Sequence, residues 1–75
     1  MDIKEAKRKF NENRDIEAAD EILKTAVAWA MEMNFLPQAA EIAESFRPVV
    51  NGKNITKKRQ AAEKVLPLLE RVNVC

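Results

Sequence analysis

The sequence predicts an all-α fold, a compact bundle of about four helices forming one domain over residues 1–75. Three observations carry this expectation. Apolar residues recur at three- and four-residue spacing through most of the chain, no stretch shows the period-two alternation of a strand, and glycine occurs only once. Punctuation by Asn, Asp and Pro divides the pattern into segments at about 2–13, 15–35, 37–50 and 55–73, the last kinked at Pro67.

In the first segment Asp2 is placed to cap the helix, with Glu5 three residues on in a capping-box arrangement and Met1 available to pack on Ala6. Its apolar stripe is only Ile3, Ala6 and Phe10, so weak attachment is expected. Lys7, Arg8 and Lys9 read as a solvated face rather than a nucleic-acid patch. They lie toward the C-terminal half, where cations complement the helix dipole, and Lys9 is spaced to pair with Glu5.

The second segment is the longest helical pattern, and the rest is organised around it. Ile16, Ala19, Ile22, Leu23, Ala26, Val27, Trp29, Ala30 and Met33 share one broad face at about 100° per residue, opposite Glu17, Asp20, Glu21, Lys24, Thr25 and Glu32. Asp15 or Asn13 caps it, with acids in the first turns. Ala19, Ala26 and Ala30 let a neighbouring helix approach closely. Trp29, at the edge of this face, reads first as a half-buried core residue and second as a binding anchor. Met31 and Phe35 project off the stripe, to be covered by the next helix or left as an apolar patch.

Leu36-Pro37 ends that helix, and Pro37 suits the first position of the next, whose buried face is Leu36, Ala39, Ile42, Ala43, Phe46, Val49 and Val50. Pro48 is expected to end or bend it near Phe46. Asn51-Gly52 signals a turn, and Asn54 or Thr56 caps the last helix. There Ala61, Ala62, Val65, Leu66, Leu68, Leu69 and Val72 form a wide stripe. Pro67 falls on the polar side, where the Glu63 carbonyl it leaves unbonded turns to water, so the helix continues through it. The tail Asn73, Val74 and Cys75 is expected to be loose.

Composition removes several classes of function. Thirteen basic and twelve acidic side chains leave a net charge of +1, which gives no global attraction to nucleic acid or an anionic membrane. No apolar run approaches the roughly 20 residues of a membrane span, and the start MDIKEAKRKF lacks the apolar segment of a secretory signal, so a cytoplasmic setting is expected. One cysteine and no histidine exclude an internal disulfide and leave neither metal nor cofactor expected. With no histidine or tyrosine and no glycine-rich phosphate loop, the chain reads as non-catalytic. The pair Glu41 and Glu44, one helical turn apart, is commonplace on a wet face. A core of this size supplies about 3–5 kcal/mol, so association with a partner or into a homodimer is a natural remedy.

One feature stands against the dipole. Lys53, Lys57, Lys58 and Arg59 gather at the start of the last helix, where each cation costs about 0.3–1 kcal/mol when exposed. Charge is segregated along the chain, at +4 over residues 51–75, +2 over 1–9 and −5 over 10–50. Three explanations compete. The cluster is neutralised internally by Glu17, Asp20 and Glu21 or by Glu41 and Glu44; it binds phosphate or nucleic acid, with Thr56 adding a hydroxyl; or it meets an acidic protein surface. The leading functional expectation is a small interaction protein, an adaptor or inhibitor of the phage-blocker or antitoxin type, that binds a larger partner through Lys53, Lys57, Lys58 and Arg59 with Trp29 and Met31 as apolar contacts. The alternative is a nucleic-acid-binding regulator using the basic start of the last helix.

Overall fold

Four helices make up nearly all of residues 2–72, the part of the chain that this computed structural model describes: α1 (Ile3–Asn13), α2 (Ile16–Glu32), α3 (Pro37–Asn51) and α4 (Ile55–Arg71). No strand occurs among the described residues. The expected contact of Met1 with Ala6 and the tail Asn73, Val74 and Cys75 lie outside them.

Each helix starts where a side chain or a proline accommodates its first free N–H groups. Asp2 Oδ1 accepts from the Glu5 N–H at 2.8 Å, Asp15 Oδ1 from those of Glu17 and Ala18 at 2.8 and 3.3 Å, and Asn54 Oδ1 from that of Lys57 at 3.0 Å. At α3 no side chain caps, and Pro37, which has no N–H to satisfy, opens the helix.

Helix α2 is the spine. The other three all pack on it, while α3 and α4 meet each other much less extensively than either meets α2. Ala19, Ile22, Leu23, Ala26, Val27 and Ala30 are buried on its inner face, with Ile16, Trp29 and Met33 partly covered at the margins. Ala18 is fully buried as well, beyond the stripe expected from periodicity, because both α1 and α4 lie against α2. From the other helices come Phe10, Ile42, Phe46, Val65, Leu66 and Leu69. Among the described residues no polar or charged side chain is buried.

Four expectations need correction. α1 is firmly seated: Ala6 is fully buried and Phe10 is 2% exposed, so two well-placed side chains suffice where a longer stripe is missing. Its basic residues do not occupy the last turn, which holds no cation. Lys7 instead pairs with Glu70 of α4, Arg8 with Glu12 at 3.2 Å and Lys9 with Glu5 at 3.6 Å. α2 stops at Glu32 rather than Phe35, because the Met33 N–H still reaches the Trp29 carbonyl but the chain then turns through 33–36 to enter Pro37. α3 runs through Pro48 to Asn51, with Pro48 on an exposed face where the carbonyl it leaves unbonded meets water. α4 passes through exposed Pro67 unbroken, as the sequence indicates.

Arg14 joins α1 to α2 in a left-handed conformation, φ 55°, that ordinarily favours glycine or asparagine. Four contacts hold it there. Its N–H closes α1 on the Phe10 carbonyl at 2.8 Å, and its guanidinium lies 4.9 Å from the Phe10 ring centroid and 3.1 Å from Glu63 Oε2. Its own carbonyl accepts from Arg59 Nε at 2.9 Å.

Candidate functional site

The sparse contact between α3 and α4 leaves a groove between the C-terminal half of α3 and the N-terminal half of α4. Its near end, of about 250 Å³, lies over the connection between the two helices, where Val49, Gly52, Lys53 and Lys57 face one another. The adjoining part, of about 450 Å³, runs down to Ser45, Phe46, Gln60 and Lys64. Val49 and Lys57 line both, so the two parts are continuous.

Local sequence explains the shape. Because α3 continues past Pro48, it carries Val49 alongside α4 before the chain reverses over the three residues 52–54. Gly52 closes α3 through its N–H to the Val49 carbonyl at 3.1 Å, in an extended conformation open to any residue. A Cβ there would meet the Pro48 and Val49 carbonyl oxygens at 3.4 Å, the near edge of ordinary van der Waals contact, so neither space nor dihedrals demand glycine at this turn. Asn54 then caps α4 through the Lys57 N–H, which fixes where Lys57 and Lys64 leave the helix.

Every ionisable side chain lining the groove is a lysine: Lys53, Lys57 and Lys64. None has an ion-pair partner among the described residues. The cleft between α1 and α4 is the useful contrast, since it too is lined by charges, but there Arg14 pairs with Glu63 and Lys7 with Glu70. One cleft is electrostatically closed and the other is open.

The basic cluster read from the sequence is therefore split. Lys58, whose side chain is 17% exposed, donates to Asp20 Oδ1 at 3.1 Å, and Arg59 is bound to the Arg14 carbonyl. Both face inward toward α2 and the α1–α2 connection. Internal neutralisation thus holds for Lys58 through Asp20, whereas Glu17, Glu21, Glu41 and Glu44 take no part in ion pairs among the described residues. Asp20 also accepts Lys24 at 3.0 Å. Partial burial disfavours its charged form, but hydrogen bonds and attraction from Lys24 and Lys58 outweigh this and hold its carboxyl below the ordinary value. The same contact raises Lys24.

Lys53 and Lys57 stay together on the groove, joined by Lys64, which spacing alone did not associate with them. Trp29 is partly buried against the core. Met31 is 57% exposed and Phe35 74%, so the third helix covers neither, and neither lines the groove. No group of acidic or thiol side chains fit to hold a metal ion occurs among the described residues, nor a helix long and apolar enough to cross a membrane. Comparison of the chain with protein families, with curated proteins and with solved structures finds no match.

Proposed function

We propose that the protein is a small non-catalytic interaction module, an adaptor or inhibitor that binds an acidic surface of a larger protein in the cytoplasm through the α3–α4 groove. One observation carries the reading: three lysines converge on a partly apolar groove with no ion-pair partner among the described residues. Unpaired cations around a helix N-terminus are held against the dipole, and an acidic partner converts that disadvantage into attraction and selectivity. The acidic stretch over residues 10–50 repels an acidic partner elsewhere on the molecule and so directs its docking toward the lysines. Non-catalysis rests on the residue types present, since neither histidine nor tyrosine occurs.

Nucleic acid is the less favoured partner. Lys58 and Arg59 are engaged within the fold, and the aromatic ring that lines the groove, Phe46, is 8% exposed and offers no stacking platform.

The test is a titration of 15N-labelled protein with polyglutamate of about 20 residues and, separately, with a duplex oligonucleotide at two salt concentrations. Amide shifts confined to the groove with polyglutamate, and lost in a Lys53→Glu/Lys57→Glu/Lys64→Glu variant, support the proposal. Tighter binding of the duplex, falling steeply with salt, overturns it in favour of nucleic acid.

A further inference from the structure

We infer that the groove is shaped for one particular kind of acidic partner, an amphipathic helix that lays its apolar face on α3 and a row of carboxylates along α4. The inference rests on the proposed acidic partner and adds to it a secondary structure and a register.

The floor and the rim of the groove differ in chemistry. On the α3 side half-buried Val49 presents carbon, and the nearly buried edges of Phe46, three residues before it on the same helical face, and of Ala61 on α4 opposite close the floor beneath it. On the α4 side the rim carries charge, with Lys57 and Lys64 seven residues apart. Seven residues are almost two full turns, so both lysines leave the same face of α4 about 10.5 Å apart along its axis.

That spacing discriminates between backbones. In an extended peptide about 10 Å corresponds to three residues, whose side chains point to opposite faces, so a strand cannot set carboxylates against both lysines from one edge. A helix repeats on one face at the same seven-residue interval and places acids opposite both at once. It also carries apolar residues at three- and four-residue spacing on the adjoining face, which can cover Val49 and the apolar floor beside it. Lys53, beyond the α4 cap, extends the basic rim and is available to an acid near the partner's end.

Four peptides of about 15 residues test this by fluorescence anisotropy, circular dichroism and amide shifts of the intact protein. The first is helix-favouring, with Glu at seven-residue spacing along one edge and Leu and Phe on the adjoining face. The second has the same composition scrambled so that neither face forms, the third is polyglutamate, and the fourth repeats the first with Lys in place of Glu. The inference expects the first peptide to bind at least about tenfold more tightly than the scrambled one, gain helicity on binding and shift the Val49 and Ala61 amides. Lys57→Glu/Lys64→Glu should abolish that binding and Lys4→Glu, an exposed α1 cation, should not, with circular dichroism confirming that both variants fold. Equal binding of the first three peptides, or binding without gain of helicity, overturns the helical register and leaves the acidic-partner reading standing. Absence of groove shifts with all three acidic peptides, or preference for the Lys-bearing peptide, overturns both.

Discussion

Lys58 Nζ lies 3.1 Å from Asp20 Oδ1, and this pair clamps the N-terminal half of α4 to the spine helix α2. The same carboxylate holds Lys24, so one acid on the margin of the core serves two cations. Its folded-state pKa is depressed, so its contribution to stability is present above the unfolded value and disappears as pH falls through the folded one. Urea unfolding midpoints should therefore decline below about pH 5. Asp20→Asn should be less stable than the parent at pH 7 by up to about 1 kcal/mol, with the two curves converging as the pH falls through the depressed folded-state pKa of Asp20.

Arg14 has a conformation suited to glycine and contacts that glycine cannot make. Arg14→Ala loses the Glu63 pair and the Phe10 ring contact while keeping the left-handed strain, and should cost about 1–2 kcal/mol. Arg14→Gly loses the same contacts but relieves the strain, so it should be the more stable of the two by roughly 0.5–1 kcal/mol in chemical denaturation.

Pro48 and Pro67 are exposed residues inside continuous helices, each removing a backbone hydrogen bond. Pro67→Ala should raise the thermal midpoint, with a gain of about 1–3 kcal/mol followed by calorimetry. Pro48→Ala should act in the same direction.

Lys57 occupies the first turn of α4, where a carboxylate is the better residue for the helix. Lys57→Glu should stabilise the isolated protein by about 0.3–1 kcal/mol while weakening its hold on an acidic partner. Opposite signs in unfolding and binding assays would identify the lysine as retained for contact rather than for folding.

Leu23 is fully buried at the centre of the spine. Leu23→Ala should cost about 2–5 kcal/mol, comparable to the whole stability expected at this size, and circular dichroism at 25 °C should find the variant largely unfolded. Phe35→Ala, at a ring 74% exposed, should leave the unfolding midpoint within about 0.5 kcal/mol of the parent.

The fold was legible where a single helix decides its own fate. The caps Asp2, Asp15 and Asn54, the inner face of α2 and the passage through Pro67 all depend on residues within a few positions of one another. Arg14 was not legible, because its left-handed turn is held by Glu63 and Arg59, some 49 and 45 residues away. The seating of α1 escaped for a similar reason, since a short stripe says little about how well Phe10 finds its pocket. At the candidate site the sequence gathered Lys53, Lys57, Lys58 and Arg59 as neighbours in the chain. Only the placement of α2 and α3 separates the two that are tied down from the two that remain, and brings Lys64 to them.

The links between helices are brief, spanning residues 14–15, 33–36 and 52–54. Little entropy is surrendered in closing them, and neighbouring helices find each other early in the conformational search. Such local topology puts refolding in the microsecond-to-millisecond range. Each excursion from the native state would then close before a slow protease cleaves, and survival would track the equilibrium fraction of open chains rather than the rate at which they open.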